Sequence, residues 1–157
     1  LGLVSRPGRY PIETGNTRLS DMLATAGGAV PGGSDVVILS GIREGRPFRR
    51  EIDVPALFGP DRSNEDVLVA GGDVIYVHRA PVFYIYGEVQ RPGPYRIERD
   101  MTVLQALVQG GGLTVRGTER SMRIHRRGAD GRVSEITPEK SDLVRADDVI
   151  QVQESLF

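Results

Sequence analysis

The chain has no cysteine, which excludes a disulfide framework and thiolate chemistry. It has no tryptophan and only 6% aromatic residues, so its cores are expected to be aliphatic. No run approaches the ~20 apolar residues that a helix needs to cross a bilayer. Charge of either sign is not in excess: 20 basic and 21 acidic groups leave a net charge of −1. The electrostatic footprint of a nucleic-acid binder is missing, and no nucleic-acid partner is expected. Lysine is almost absent, Lys140 being the only one. Guanidinium forks suit carboxylates and phosphates, yet arginine beside abundant glycine and alanine is also what a GC-rich coding sequence yields. Histidine occurs twice, as His78 and His125, at non-equivalent places and without the clustered ligands a metal site needs. No nucleophile–base pair can be assembled either, so neither metal, cofactor nor enzymatic activity is expected.

What the chain does have is repetition. Val4-Ser5-Arg6-Pro7-Gly8-Arg9-Tyr10-Pro11-Ile12 returns as Val89-Gln90-Arg91-Pro92-Gly93-Pro94-Tyr95-Arg96-Ile97. Leu19–Gly28 returns as Val103–Gly112, and Gly72-Asp73-Val74-Ile75-Tyr76-Val77 as Asp147-Asp148-Val149-Ile150-Gln151-Val152. Three blocks in one order mean two copies of one small fold, residues 1–80 and 81–157, joined at Ala80-Pro81 almost without linker. Units this small bury only about 60% of their unfolded surface, so packing on other modules or subunits is expected to contribute. The chain starts without methionine and reads as a segment of a longer protein.

Each copy reads strand, turn, strand, helix, strand, strand, strand. Val82–Val89 is rich in β-branched and aromatic residues. Pro92-Gly93 and Pro7-Gly8 carry the residue types of a type II turn, leading into alternating strands at Tyr95–Glu98 and Tyr10–Glu13. Val103, Leu104, Leu107 and Val108 form the apolar stripe of a short helix, with Thr102 as its N-cap. Gly110-Gly111-Gly112 ends it. In the first copy Leu19 and Leu23 form the stripe, Thr17 is the cap candidate and Gly27-Gly28 the stop. Arg127–Arg132 reads as a hairpin turn between the next two strands, and a polar loop is expected at Phe58–Asn64. The fold class expected is α+β: two tandem β-grasp (ubiquitin-like) modules, each a mixed sheet with one short helix.

The run Gly87-Glu88-Val89-Gln90-Arg91-Pro92-Gly93-Pro94-Tyr95, the helix ending in three glycines and the closing Asp147–Val152 resemble the soluble-ligand-binding β-grasp family. The first copy resembles it at Arg6–Tyr10, Ala26-Gly27-Gly28 and Gly72–Val77. A tandem pair is similar to the periplasmic part of bacterial outer-membrane polysaccharide export proteins. That resemblance implies a homo-oligomeric ring in the full-length parent, an exported capsular polysaccharide or exopolysaccharide, and an inner-membrane copolymerase as partners. It also implies a periplasmic location within an outer-membrane-associated protein. The module is shared with DNA-uptake proteins and a respiratory flavoprotein subunit, and a cleft between the copies that captures a small molecule or oligosaccharide is a further reading.

Six residues are candidates for ligand contact. Arg6, Tyr10, Arg91 and Tyr95 recur in the Arg-Pro-Gly-x-Tyr block: aromatic faces stack on sugar rings and arginine pairs with uronic acids. The competing reading has Pro-Gly shaping the turn while tyrosine packs on the sheet. Arg123 and Arg127 belong to the densest basic run and share one face of a strand with His125. The helix-end glycines lack the Lys-Ser/Thr of a phosphate loop. Asp147-Asp148, adjacent on extended chain, read as a turn rather than a carboxylate dyad.

Overall fold

Alternation decides the second half of the chain. In Val82–Gly87 (β4), Phe83 and Ile85 are buried while Tyr84 and Tyr86 point outward. Gly93–Arg96 (β5) pairs antiparallel with β4. The helix Val103–Gln109 (α3) follows, then Gly117–Arg127 (β6), Val133–Ile136 (β7) and Val149–Glu154 (β8). The five strands lie in the order β5-β4-β8-β6-β7, with β4 parallel to β8 and every other pair antiparallel. A mixed sheet with first and last strands side by side, and one helix on a single face, is the β-grasp plan. Its core is Phe83, Ile85, Val103, Leu107, Met122, Ile124, Ile150 and Val152 among others. The computed structural model describes residues 1–13, 15–60 and 66–155. It divides into two compact units, Leu1–Ala80 and Pro81–Phe157.

Helix α3 is capped at both ends by the residues its sequence offers. Thr102 Oγ1 accepts from the Gln105 N–H at 3.2 Å, and Gln105 Oε1 accepts from the Thr102 N–H at 2.9 Å, a reciprocal capping box. At the other end the Gly112 N–H donates to Leu107 C=O and the Gly111 N–H to Val108 C=O, at 3.0 and 2.9 Å. This Schellman closure needs left-handed backbone, and Gly111 and Gly112 supply it at φ +87° and +80°. A seven-residue helix is unstable alone, so these ends and the sheet beneath hold it.

The first unit repeats the helix but not all of the sheet. Leu19–Thr25 (α1) ends in the same closure, with Gly28 donating to Leu23 and Gly27 to Ala24. Gly33–Arg43 (β1) and Arg46–Asp53 (β2) form a two-residue hairpin whose Glu44 and Gly45 both have positive φ. The short helix Val54–Leu57 (α2) follows, and Val74–Arg79 (β3) completes a sheet in the order β2-β1-β3. Of the expected loop at Phe58–Asn64, residues 61–64 lie outside the described residues.

Three expectations are corrected. The opening strand pair of the first copy is absent: Leu1–Ile12 holds only the bridges Gly2↔Val77 and Val4↔Ala29. The segment's backbone goes elsewhere: Leu3 donates to Val77, and Ser5 and Arg6 to Gly28 and Ala26 at the end of the helix. Second, α1 is capped by Arg18, not Thr17; the Arg18 N–H donates to Asp21 Oδ2 at 3.0 Å. A carboxylate from far along the chain adds to this end, Asp66 accepting from the Ser20 N–H and Oγ at 3.0 and 2.6 Å. Third, neither Pro-Gly makes a type II turn. Gly8 has no positive φ and Gly93 sits at +148°, far from the roughly +80° such a turn requires.

Candidate functional site

The Arg-Pro-Gly-x-Tyr segment docks against the end of the helix in both units. The helix closure leaves carbonyls facing outward, and the segment meets them with backbone N–H groups. Ser5 donates to Gly28 and Arg6 to Ala26, at 3.0 and 2.8 Å; Gln90 donates to Gly112 and Arg91 to Gly110, at 3.0 and 2.7 Å. The glycines permit the approach: a Cβ on Gly27 or Gly111 would lie within 3 Å of Ser5 or Gln90.

Both tyrosines are spent inside this clasp. The Tyr10 hydroxyl donates to the Arg6 carbonyl, and Tyr95 to Arg91 at 2.5 Å, each closing the bend that Pro-Gly was expected to make. The Tyr95 ring also packs 5.9 Å from Phe83. Arg6 turns onto its own helix, donating to the Thr25 carbonyl at 2.9 Å, where a cation meets the negative end of the helix. The Arg91 guanidinium lies against Gly111. Of the four repeated residues, the tyrosines and Arg6 are held by contacts that build the fold. Tyr95→Phe is expected to lower the stability of the second unit by about 1 kcal/mol, read from urea denaturation; an unchanged midpoint would remove the hydroxyl's structural role.

Arg123 and Arg127 do share a face of β6 with His125, opposite the buried Met122 and Ile124. Arg123 Nε lies 3.5 Å from Glu135 Oε1, a pair between a half-buried arginine and an exposed glutamate that is worth little. His125 Nε2 meets Gln151 Oε1 at 3.2 Å, and Arg127 is exposed. Because β8 lies between β4 and β6, two more residues join this face. Tyr86, Gln151 and Arg123 stand in one row of the ladder, and Tyr84, Val149 and His125 in the next. Tyr84 and Tyr86 are each 42% exposed. With strands ~4.8 Å apart, tyrosine and arginine backbones in a row are about 10 Å apart. Phenol rings, a guanidinium and an amide on one open sheet can stack on and hydrogen-bond to a polar ring compound. The tyrosines were readable as the outward half of the β4 alternation, but their meeting with Arg123 depends on strand order.

The acidic turns before β3 and β8 are structural. Asp147 occupies the turn at φ +65°, while Asp148 is fully buried. Arg126 clasps Asp148 with Nε and NH2 at 3.0 and 2.8 Å, and the Arg145 N–H donates to it at 2.8 Å. The first unit builds the same clasp: Arg43 donates to both Asp73 oxygens at 2.8 and 2.6 Å, and the Ala70 N–H adds 2.9 Å. The arginines are at different places, however. The ladders end at Ser40↔Val74 and His125↔Val149, one residue short of each clasp, so Gly41…Arg43 in one copy answers Arg126…Gly128 in the other. A Cβ at Gly41 would fall 2.0 Å from Asp73 Oδ1; its absence lets Arg43 fold back, over the Phe48 ring at 5.0 Å. Among the described residues no group of His, Cys, Asp or Glu could hold a metal ion.

Hydrogen bonds from Arg43 hold the Asp73 carboxyl below the usual carboxylate range, against the opposing effect of burial. A depressed folded value means that the unfolded chain takes up the proton first as pH falls. The stability from this pair is therefore present at neutral pH and lost as acid approaches the lowered folded value. Asp73→Asn should flatten the dependence of the denaturation midpoint on pH below about pH 4; slopes equal to the parent's would show that the pair adds nothing.

Two β-grasp modules, each with an Arg-Pro-Gly-x-Tyr clasp on a glycine-closed helix, define the class of this protein. The SLBB domain family model matches residues 1–50 and 82–137, more than half of the chain and one segment in each module. The chain belongs to the SLBB domain family. No curated protein matches it.

Proposed function

We propose that this chain is the tandem-module segment of a bacterial polysaccharide export protein. In this reading it is periplasmic, part of an outer-membrane-associated protein, and works without catalysis. It sets subunit spacing in a ring through which capsular polysaccharide or exopolysaccharide passes, touching the glycan weakly and meeting an inner-membrane copolymerase. The observation that supports it is the recurrence of one family module in both units, helix and clasp included. Repeated modules whose most conspicuous arginine and tyrosines serve the fold itself suit a spacer better than a reaction centre. Light scattering and cross-linking of the full-length parent are expected to give a closed oligomer; a monomer at all concentrations would end the ring reading.

A second reading, a module that binds an oligosaccharide, is favoured by the open face of Tyr84, Tyr86, Arg123 and His125. Calorimetry with acidic oligosaccharides separates the two. Saturable heat that Tyr86→Ala abolishes supports the binding module, and no heat supports the spacer. The net charge of −1 speaks against DNA uptake, and no retardation in a low-salt gel shift is the expected result.

A further inference from the structure

The two units can be compared where the clasp arginine meets its sheet. In the first unit the Arg43 guanidinium bonds Asp73 and reaches the Leu68 C=O at 3.4 Å. In the second the Arg126 guanidinium bonds Asp148 and reaches the Leu143 C=O at 3.3 Å. The two charged groups therefore hold the same place in their units, although they come from different positions. Their surroundings differ. Phe48, opposite Gly41 in the β1–β2 ladder, lays its ring against the Arg43 guanidinium at 5.0 Å. The residue opposite Arg126 in the β6–β7 ladder is Ser134, and among the described residues no aromatic ring lies against this guanidinium. The second unit has instead a cavity of about 510 Å³, with Ile124, Ile136 and Val144 as apolar wall and Arg126, Asp142 and Arg145 as polar lining. Arg126 is the more enclosed of the two arginines, its side chain 18% exposed against 33% for Arg43, so a ring over it would gain more than Phe48 gains. Arg145 is exposed: its N–H serves Asp148, while its guanidinium is unengaged among the described residues. The Asp142 carboxylate is tied to the Glu139 N–H at 2.9 Å.

We propose that this cavity binds a small aromatic carboxylate, its ring over Arg126 against Ile124, Ile136 and Val144, and its carboxylate paired with Arg145. The volume is that of a small-molecule site. The ring takes the part that Phe48 plays for Arg43 in the first unit, and the anion matches the unengaged guanidinium. Ile124 and Arg126 alternate with His125 along β6, so the cavity lies on the other side of the sheet from Tyr84 and Tyr86. It is a separate site from the open face, and depends on neither the export reading nor the oligosaccharide reading.

The test is methyl NMR of the full chain titrated with 2-naphthoate. Saturable ring-current shifts are expected at Ile124, Ile136 and Val144, and none at Leu39 and Ile52 of the first unit. Decahydro-2-naphthoate, with the same charge and no π face, should bind about tenfold more weakly. Arg145→Gln should weaken 2-naphthoate about threefold and leave the neutral 2-naphthylmethanol unchanged. Ser134→Phe, which gives the second unit the first unit's own ring, should abolish the shifts and raise the melting temperature. No saturable shift, or equal binding of the decahydro acid, would overturn the site. Shifts confined to Tyr84, Tyr86 and Val149 would place the ligand on the open sheet face and overturn the cavity. Where Ser134→Phe does not fold, the Arg145→Gln comparison decides: equal loss for acid and alcohol, or loss for neither, removes the carboxylate's partner.

Discussion

Phe83→Ala is expected to lower the stability of the second unit by about 3–5 kcal/mol, the usual range for a phenylalanine lost from a closed core. Phe83 is the largest fully buried side chain in the unit and lies beneath Tyr95 in the β4–β5 pair. Its loss opens a cavity where the first strand, the helix and the clasp all meet. A domain of this size holds only about 5–15 kcal/mol in total, so the variant should be near the edge of folding. Hydrogen exchange measured unit by unit is the suitable readout. Amides of β8 and β6 should lose most of their protection, while those of β1 and β3 should keep theirs. A loss below about 1 kcal/mol would mean that the site collapses around the missing ring, contrary to its close packing.

Asp148→Ala should be comparably severe, at about 3–5 kcal/mol, because it strands a partly buried cation. Arg126 would keep its charge with no carboxylate beside it, and the Arg145 N–H would lose its acceptor. An arginine guanidinium is effectively always protonated, so deprotonation offers no relief once Asp148 is gone. Replacing both partners, Arg126→Met with Asp148→Leu, should restore more than half of the loss in urea denaturation, since the larger penalty is the unpaired charge. A double variant no better than Asp148→Ala would show instead that the turn needs its carboxylate acceptor.

Much of the fold was legible because its signals are local. The Thr102–Gln105 box, the glycine stops of α1 and α3 and the hairpin after Arg127 all rest on residues within a few positions of one another. The misses are non-local. Thr17 looked like the cap of α1, yet the helix starts one residue later and recruits Asp66, 46 residues from Ser20. Pro-Gly looked like a tight turn, yet tyrosine hydroxyls and helix-end carbonyls hold the bend, and no window of sequence reports those contacts. The candidate site divides in the same way. Alternation placed Arg123 and Arg127 on one face of β6. Only the insertion of β8 between β4 and β6 brings Tyr84 and Tyr86 to that face.

The travelled arginine carries a lesson for anyone who edits these modules. Copying residues between halves by matching alignment columns would put arginine where Gly41 leaves room, and glycine where Arg126 does its work. What the two copies share there is a bond, not an address. A chimaera keeps its turn only when the swap is made as a three-residue block, so this stretch is a unit of exchange rather than a row of independent sites.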